Sequence, residues 1–220
     1  MTTNEILIPV KGAHLKGELH LPDHAPGLIL FAHGSGSSRK SPRNQFVARV
    51  IEEAGLGTLL FDLLTAEEEA AEAQTGELRF NIGLLTNRLV AATRWALDQT
   101  PRDINAGYFG SSTGAAAALV AASKLGETIG AVVSRGGRPD LAGDALERVS
   151  APTLLVAGGE DHQVILLNED ACDSLRCEKA LRIVPRATHL FAEPGTLETV
   201  ARMAAEWFAD HLQPITARRR

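Results

Sequence analysis

The stretch that decides the fold is Asn105-Ala106-Gly107-Tyr108-Phe109-Gly110-Ser111-Ser112-Thr113-Gly114, with the alanine-rich run 115–122 directly behind it. An apolar strand pattern runs into a G-x-S-x-G pentapeptide and then into a helical pattern. A side chain on so sharp a strand-to-helix turn is pushed outward on a strained backbone. The residues two before and two after it must be small, because the neighbouring chain passes close by. Gly110 and Gly114 meet that demand, which makes Ser112 the candidate nucleophile.

The same alternation extends both ways from this unit. Apolar runs at 28–32, 57–61, 129–134, 153–157 and 181–184 read as strands, the continuous ones as strands buried on both faces. Between and after them, helical periodicity appears at 46–51 (ending at Gly55), 82–97, 113–124, 141–149, 164–175 and 197–212. Residues 6–10 and 15–21, joined by Lys11-Gly12-Ala13, form a hairpin pattern. Strands alternating with helices over short links predict an α/β fold: a mostly parallel, doubly wound sheet with an antiparallel N-terminal hairpin. One domain is expected over 1–212, with 213–220 as a flexible basic tail ending in Arg218-Arg219-Arg220. No insertion of domain size follows the strand at 129–134, so no cap domain is expected. The acidic run Glu67-Glu68-Glu69-Ala70-Ala71-Glu72 reads as a solvated helix face or a loop.

Composition narrows the chemistry. The 220 residues are 45% hydrophobic and 22% charged, which is ordinary for a globular domain. A formal charge of −5 offers no basic surplus for phosphate backbones, so a nucleic-acid partner is not expected. The start of the chain lacks a basic segment followed by an apolar run, and no stretch is long and apolar enough to span a bilayer. A cytoplasmic protein without a membrane partner is therefore expected. Cys172 and Cys177 make no disulfide framework, and no His or Cys stands near them at metal-ligand spacing, so neither metal nor cofactor is expected.

A serine hydroxyl needs a base within reach, itself oriented by a third group. In parallel sheets, sites form beyond the carboxyl ends of the strands, so the partners are sought there. His189, in the loop after the last strand, is the natural base. The loop Gly158-Gly159-Glu160-Asp161-His162 supplies the orienting carboxylate, with Asp161 preferred, Glu160 its local competitor and Asp140 a fallback one strand earlier. The developing oxyanion needs preorganised donors. The backbone N–H of Thr113, at a helix N-terminus, is one; the N–H of Ser35, between Gly34 and Gly36, is the other. Arg135 and Arg138 follow a strand at the same edge and are read either as binders of an anionic substrate group or as ion-pair partners of Asp140 or Asp62. Arg39 and Arg43 raise the same question, with a solvated surface position favoured.

Together, His33-Gly34-Ser35-Gly36-Ser37-Ser38, Phe61-Asp62-Leu63-Leu64-Thr65, Gly107 to Gly114 and Ser134-Arg135-Gly136-Gly137-Arg138-Pro139-Asp140 give the chain a likeness over essentially its whole length. It resembles α/β-hydrolases of the dienelactone hydrolase-like group. The order Ser112, Asp161, His189 is the nucleophile–acid–base order of that fold. The family's namesake uses a cysteine where this chain has Ser112, so the resemblance implies architecture and ester-type chemistry rather than dienelactone turnover itself.

The expected activity is that of a serine hydrolase acting on small carboxylic esters, with lactones and thioesters as related substrates. The expected partner is a small-molecule ester, and a homodimer is the only assembly considered. Acyl transfer or peptide cleavage would run on the same three residues, and a non-catalytic binding module would keep the fold alone. Dehalogenase chemistry is disfavoured because it would want a carboxylate at position 112.

Overall fold

The computed structural model describes residues 4–100 and 104–212. The expected basic tail at 213–220 lies outside them. Eight strands, β1 (Asn4–Val10), β2 (Ala13–His20), β3 (Gly27–Ala32), β4 (Gly57–Phe61), β5 (Asn105–Ser111), β6 (Ile129–Arg135), β7 (Thr153–Gly158) and β8 (Lys179–Val184), form one sheet in the order β1-β2-β4-β3-β5-β6-β7-β8. From β4 to β8 every pairing is parallel. The hairpin β1–β2 joins through an antiparallel β2–β4 ladder. This is the mostly parallel, doubly wound sheet with an N-terminal hairpin that the alternation predicts.

Strands β3 to β7 are buried at every residue. Two layers of helix achieve this. On one face α1 (Pro42–Glu53) and α6 (Thr196–His211) cover Ile29, Phe31, Phe109, Val133 and Val156. On the other, α3 (Ile82–Asp98), α4 (Thr113–Leu125) and α5 (His162–Ser174) cover Leu30, Tyr108, Val132 and Leu155. Each large side chain taken out of water contributes about 1.5–3 kcal/mol, so the two cores carry most of the favourable term. The alanines of α4 are buried, and their small size lets α4 lie close to the sheet between α3 and the 3₁₀ segment Pro139–Arg148.

One departure from the periodic reading and one choice that it leaves open have local causes. The apolar pattern at 141–149 predicts an α-helix, but the chain winds as 3₁₀ turns broken at Gly143, whose φ is +51°. Residues 66–75 are a helix, α2 (Ala66–Thr75), rather than a loop. Its start is fixed by a capping box: Thr65 Oγ1 accepts from Glu68 N–H at 3.2 Å, and Glu68 Oε2 accepts from Thr65 N–H at 2.8 Å. Gly76, in the left-handed region at φ +69°, ends it. Among the described residues no cap domain is present, but α2 and the turn Leu78–Phe80 overhang the carboxyl ends of the strands. Among the described residues no helix is long and apolar enough to cross a membrane.

Candidate active site

The strand β5 ends at Ser111 and α4 begins at Thr113, so Ser112 alone turns the chain. Its φ of +49° and ψ of −123° are unfavourable for any residue with a Cβ, a cost on the order of 1–3 kcal/mol. Neighbouring structure holds the strain. Ser112 N–H reaches the Arg135 carbonyl at 3.4 Å, and the Ser112 carbonyl accepts from Ala115 and Arg138 N–H, both at 3.1 Å. A Cβ at Gly114 would overlap the carbonyl oxygens of Ala32 and His33, and one at Gly110 would meet Ala115 Cα at 2.5 Å. The two glycines of the pentapeptide are therefore required by close approach, as the sequence pattern implies.

The loop after β3 packs directly on this turn. A Cβ at Gly34 would stand 3.0 Å from Ser112 Cβ. Ser35 Oγ lies 3.2 Å from Thr113 Oγ1, tying the loop to the start of α4. His33 fixes the loop from beneath. Its Nε2 accepts from Leu63 N–H at 2.9 Å, so Nδ1 carries the proton and donates to the Gly34 carbonyl at 3.0 Å. Burial pushes the His33 pKa below its ordinary value, against weaker opposing effects from the Gly34 bond and from Asp62 and Glu69, which matches this neutral role. Arg39 ties down the far end of the loop. It is buried rather than solvated, its backbone N–H donates to Asp62 Oδ1 at 2.8 Å, and its guanidinium pairs with Asp62, Glu5 and Glu18.

The loops after β7 and β8 bring Asp161 and His189 together. Gly159 N–H donates to the Val184 carbonyl at 2.9 Å, and Glu160 N–H donates to the Ala187 carbonyl at 3.0 Å. These bonds fix one loop against the other, and His189 Nδ1 lies 2.6 Å from Asp161 Oδ2. Glu160 points outward and is exposed, and Asp140 is occupied by Arg138, so neither competes for the imidazole. Glu193 holds the histidine loop, accepting from Thr188 N–H at 3.0 Å and from Thr188 Oγ1 at 2.6 Å. The loop contains two further residues of positive φ, Arg186 (+63°) and Phe191 (+53°), the latter anchored in the core.

Ser112 and His189 line one open cleft of about 290 Å³, together with Ser35, Thr113 and Arg138. No direct hydrogen bond joins the serine and histidine side chains. Beyond Ser35 and Thr113 an inner cavity of about 150 Å³ lies under α2, bounded by Leu63, Leu85, Ala73 and Glu72. Arg79 borders both spaces. It pairs with the buried Glu72, which also accepts from Leu78 N–H at 2.6 Å. Arg79 and Phe80 were not singled out in the sequence. The signal available was the Thr65-x-x-Glu68 box, which announces a helix just after β4.

The two arginines at the end of β6 and just beyond it diverge. Arg138 lines the cleft and is held in a two-point fork by Asp140, at 2.9 and 2.7 Å. Arg135, expected beside it, is not part of the cleft. Strand alternation places it on the α1–α6 face, with its guanidinium carbon 5.9 Å from the Phe109 ring centre. Among the described residues no cluster of three or more His, Cys, Asp or Glu is placed to hold a metal ion.

An eight-stranded sheet of this order, with a strained serine at the turn after its central strand and an acid and a histidine after later strands, defines an α/β-hydrolase. The chain belongs to that superfamily and, within it, to the dienelactone hydrolase-like family. It is 56% identical to a dienelactone hydrolase from Anabaena variabilis of known crystal structure, over 96% of this chain and 99% of that one, with a TM-score of 0.93. Est1E from Butyrivibrio proteoclasticus shares the fold at 16% identity and a TM-score of 0.78, covering 94% of this chain and 98% of that one. An alpha-beta serine hydrolase homologue from Coxiella burnetii does so at 18% identity and a TM-score of 0.76, covering 94% and 97%. Two curated proteins from strains of Mycobacterium tuberculosis, provisionally called phosphoribosyl transferases, are 51% identical over 209 residues, 94% of this chain. The chain spans only 46% of the length of those curated relatives. No family model matches the sequence.

Proposed function

We propose that the protein is a serine hydrolase that cleaves small carboxylic esters through Ser112, His189 and Asp161. The observation that carries this reading is the 2.6 Å contact between His189 Nδ1 and Asp161 Oδ2, at the edge of the cleft that Ser112 enters on its strained turn. With Nδ1–H donated to the carboxylate, Nε2 is left as the base. Ser112 Oγ attacks the ester carbonyl while Nε2 takes its proton. The oxyanion that forms is held by the N–H groups of Thr113, at the start of α4, and Ser35. Collapse returns the proton to the departing alcohol and leaves an acyl-enzyme. Water, deprotonated by the same nitrogen, then releases the acid and restores Ser112. Asp161 keeps the imidazole in its tautomer and stabilises the imidazolium, a role worth about 10⁴ in kcat in a comparable triad.

Cavity size supports a small acyl group. The inner space of about 150 Å³ beside Ser35 and Thr113 takes a short or compact chain, and Leu63 and Leu85 make its inner wall apolar. Lactones and thioesters place the same carbonyl before Ser112 and belong to the same reading. Transfer of the acyl group to an acceptor other than water is the second reading. It is favoured by the openness of the cleft, where His189 is 41% exposed and an alcohol or amine reaches it as readily as water does. The transferase name of the mycobacterial relatives belongs to chains of which this one spans 46%.

A fluorophosphonate probe tests the proposal. An adduct on Ser112 in folded protein, located by mass spectrometry, together with loss of ester turnover in Ser112→Ala, is the expected result. Turnover of an ester panel that survives Ser112→Ala would overturn it, because the activity would then not arise at this site; a folded protein with neither adduct nor turnover would leave the fold as a binding module.

A further inference from the structure

The carboxyl ends of β5 and β6 have a second face, turned away from the cleft toward the first turn of α1. Arg135 projects there. It is 8% exposed, and its Nη1 has no hydrogen-bond partner among the described residues. Ser111, its register partner on β5, lies on the same face two residues after Phe109, and its buried Oγ is likewise unpartnered. Arg43 approaches from the helix side. It stands one turn before Val47, which packs in the same cluster as Phe109 and Val133, so its stem follows the buried side of α1. Its Nε is buried without a partner.

This concentration of positive charge lacks a counter-charge. Arg39, Arg79, Arg88 and Arg138 all pair with carboxylates, whereas neither Arg43 nor Arg135 does so among the described residues. Burial, helped by the Arg43 charge, brings Arg135 down to about 10. The end of α1 adds to the imbalance. Ser41 makes no side-chain cap bond and the first turn holds no acidic residue, although Pro42 at the first helical position brings no N–H of its own. An uncompensated buried guanidinium is costly, and a second cation beside it raises the cost.

We propose that Arg43, Arg135, Ser111 and the N-terminal turn of α1 form a binding site for a small oxyanion, a phosphate or carboxylate group, behind the Ser112 turn. Two guanidiniums, a hydroxyl and the first-turn N–H groups of Arg43 and Asn44, which precede the bonded Gln45 N–H, present donors suited to such a group. The Ser112 N–H bonds the Arg135 carbonyl, so an ion bound there is fastened one peptide from the nucleophile. The site is separate from the Ser112 cleft and does not depend on the hydrolase reading.

Isothermal titration at low ionic strength, with inorganic phosphate in one arm and acetate in the other, tests it. Saturable 1:1 binding of at least one anion is expected, with Kd of about 1 mM or tighter. Binding should weaken about ten-fold or more in Arg43→Gln and in Arg135→Gln. Arg43 is only half-buried, so Arg43→Gln gives a folded variant even where Arg135→Gln does not, and the anion should raise Tm in the wild type and not in Arg43→Gln. A preference for phosphate identifies a tetrahedral ligand; a preference for acetate identifies a carboxylate. Ser112→Ala should bind as the wild type does, which keeps this result apart from the triad. No saturation by either anion, or binding and Tm shifts unchanged by Arg43→Gln, would overturn the proposal.

Discussion

His189 and Asp161 belong to loops that follow neighbouring strands, and their 2.6 Å contact is set by backbone bonds between those loops rather than by either side chain's own packing. Asp161→Asn therefore keeps the loops in place while removing the group that fixes the imidazole's proton. A fall in kcat of about 10³–10⁴ is expected, with little change in Tm. Glu160→Gln, at an exposed neighbour, should alter neither. Steady-state kinetics on a short-chain ester, alongside thermal melts, separates the two.

Gly34 and Gly114 flank Ser112 and should fail in different ways. Alanine at 114 would collide with the Ala32 and His33 backbone, so Gly114→Ala should lose several kcal/mol or fail to fold. Alanine at 34 meets Ser112 Cβ at 3.0 Å and Ser111 O at 3.1 Å, close enough to displace the Ser112 side chain without breaking the sheet. Gly34→Ala is expected to lose activity by ten-fold or more while keeping most of its stability, since small misplacements at a reacting centre are costly. Urea melts paired with turnover would show whether the two losses separate.

His33 gives the fold a pH dependence. Its pKa is lowered in the folded state, so between that value and about 6.5 the unfolded chain binds the extra proton. Its contribution is fully present above about pH 6.5 and is lost as pH falls below that value. His33→Gln, which cannot charge, should lower Tm at pH 7.5 and flatten the decline of Tm between pH 7 and 5. Melts of both proteins across that range decide it. A decline just as steep in the variant would assign the dependence to other groups.

Glu72 joins α2 to the turn after it through Leu78 N–H and Arg79. Glu72→Ala should free that overhang. Faster amide exchange over 66–80 is expected, together with weaker discrimination against longer acyl chains as the roof of the inner cavity lifts. Hydrogen exchange and a chain-length series of esters are the two measurements.

The sheet and the positions of Ser112, Asp161 and His189 were legible because each rests on a local pattern: a buried apolar strand followed by a glycine-rich or polar turn. What escaped depends on contacts between distant segments. Arg39 reads as a surface residue until Asp62, on another strand end, is placed beside it. Arg135 and Arg138 are three residues apart with similar surroundings in sequence, yet strand alternation sends one behind the sheet while the turn after β6 sends the other into the cleft. Helix α2 carries too little apolar periodicity for pattern to choose between helix face and loop, and its capping box decides the matter. The 3₁₀ path of 139–148 follows from Gly143, which the apolar spacing alone does not weigh.

The order of the site along the chain has a consequence for synthesis. A parallel strand joins its neighbour only after the crossover between them has been made, and chains emerge N-terminus first. The loop at Ser35 and the turn at Ser112 therefore leave the ribosome well before β7 and β8, which carry Asp161 and His189 to the far edge of the sheet. Until β8 docks, His189 stands neither beside Asp161 nor in the cleft that Ser112 lines. On the proposed reading, an unfinished chain is thus chemically quiet, and Ser112 gains a base only when the last strand is in place.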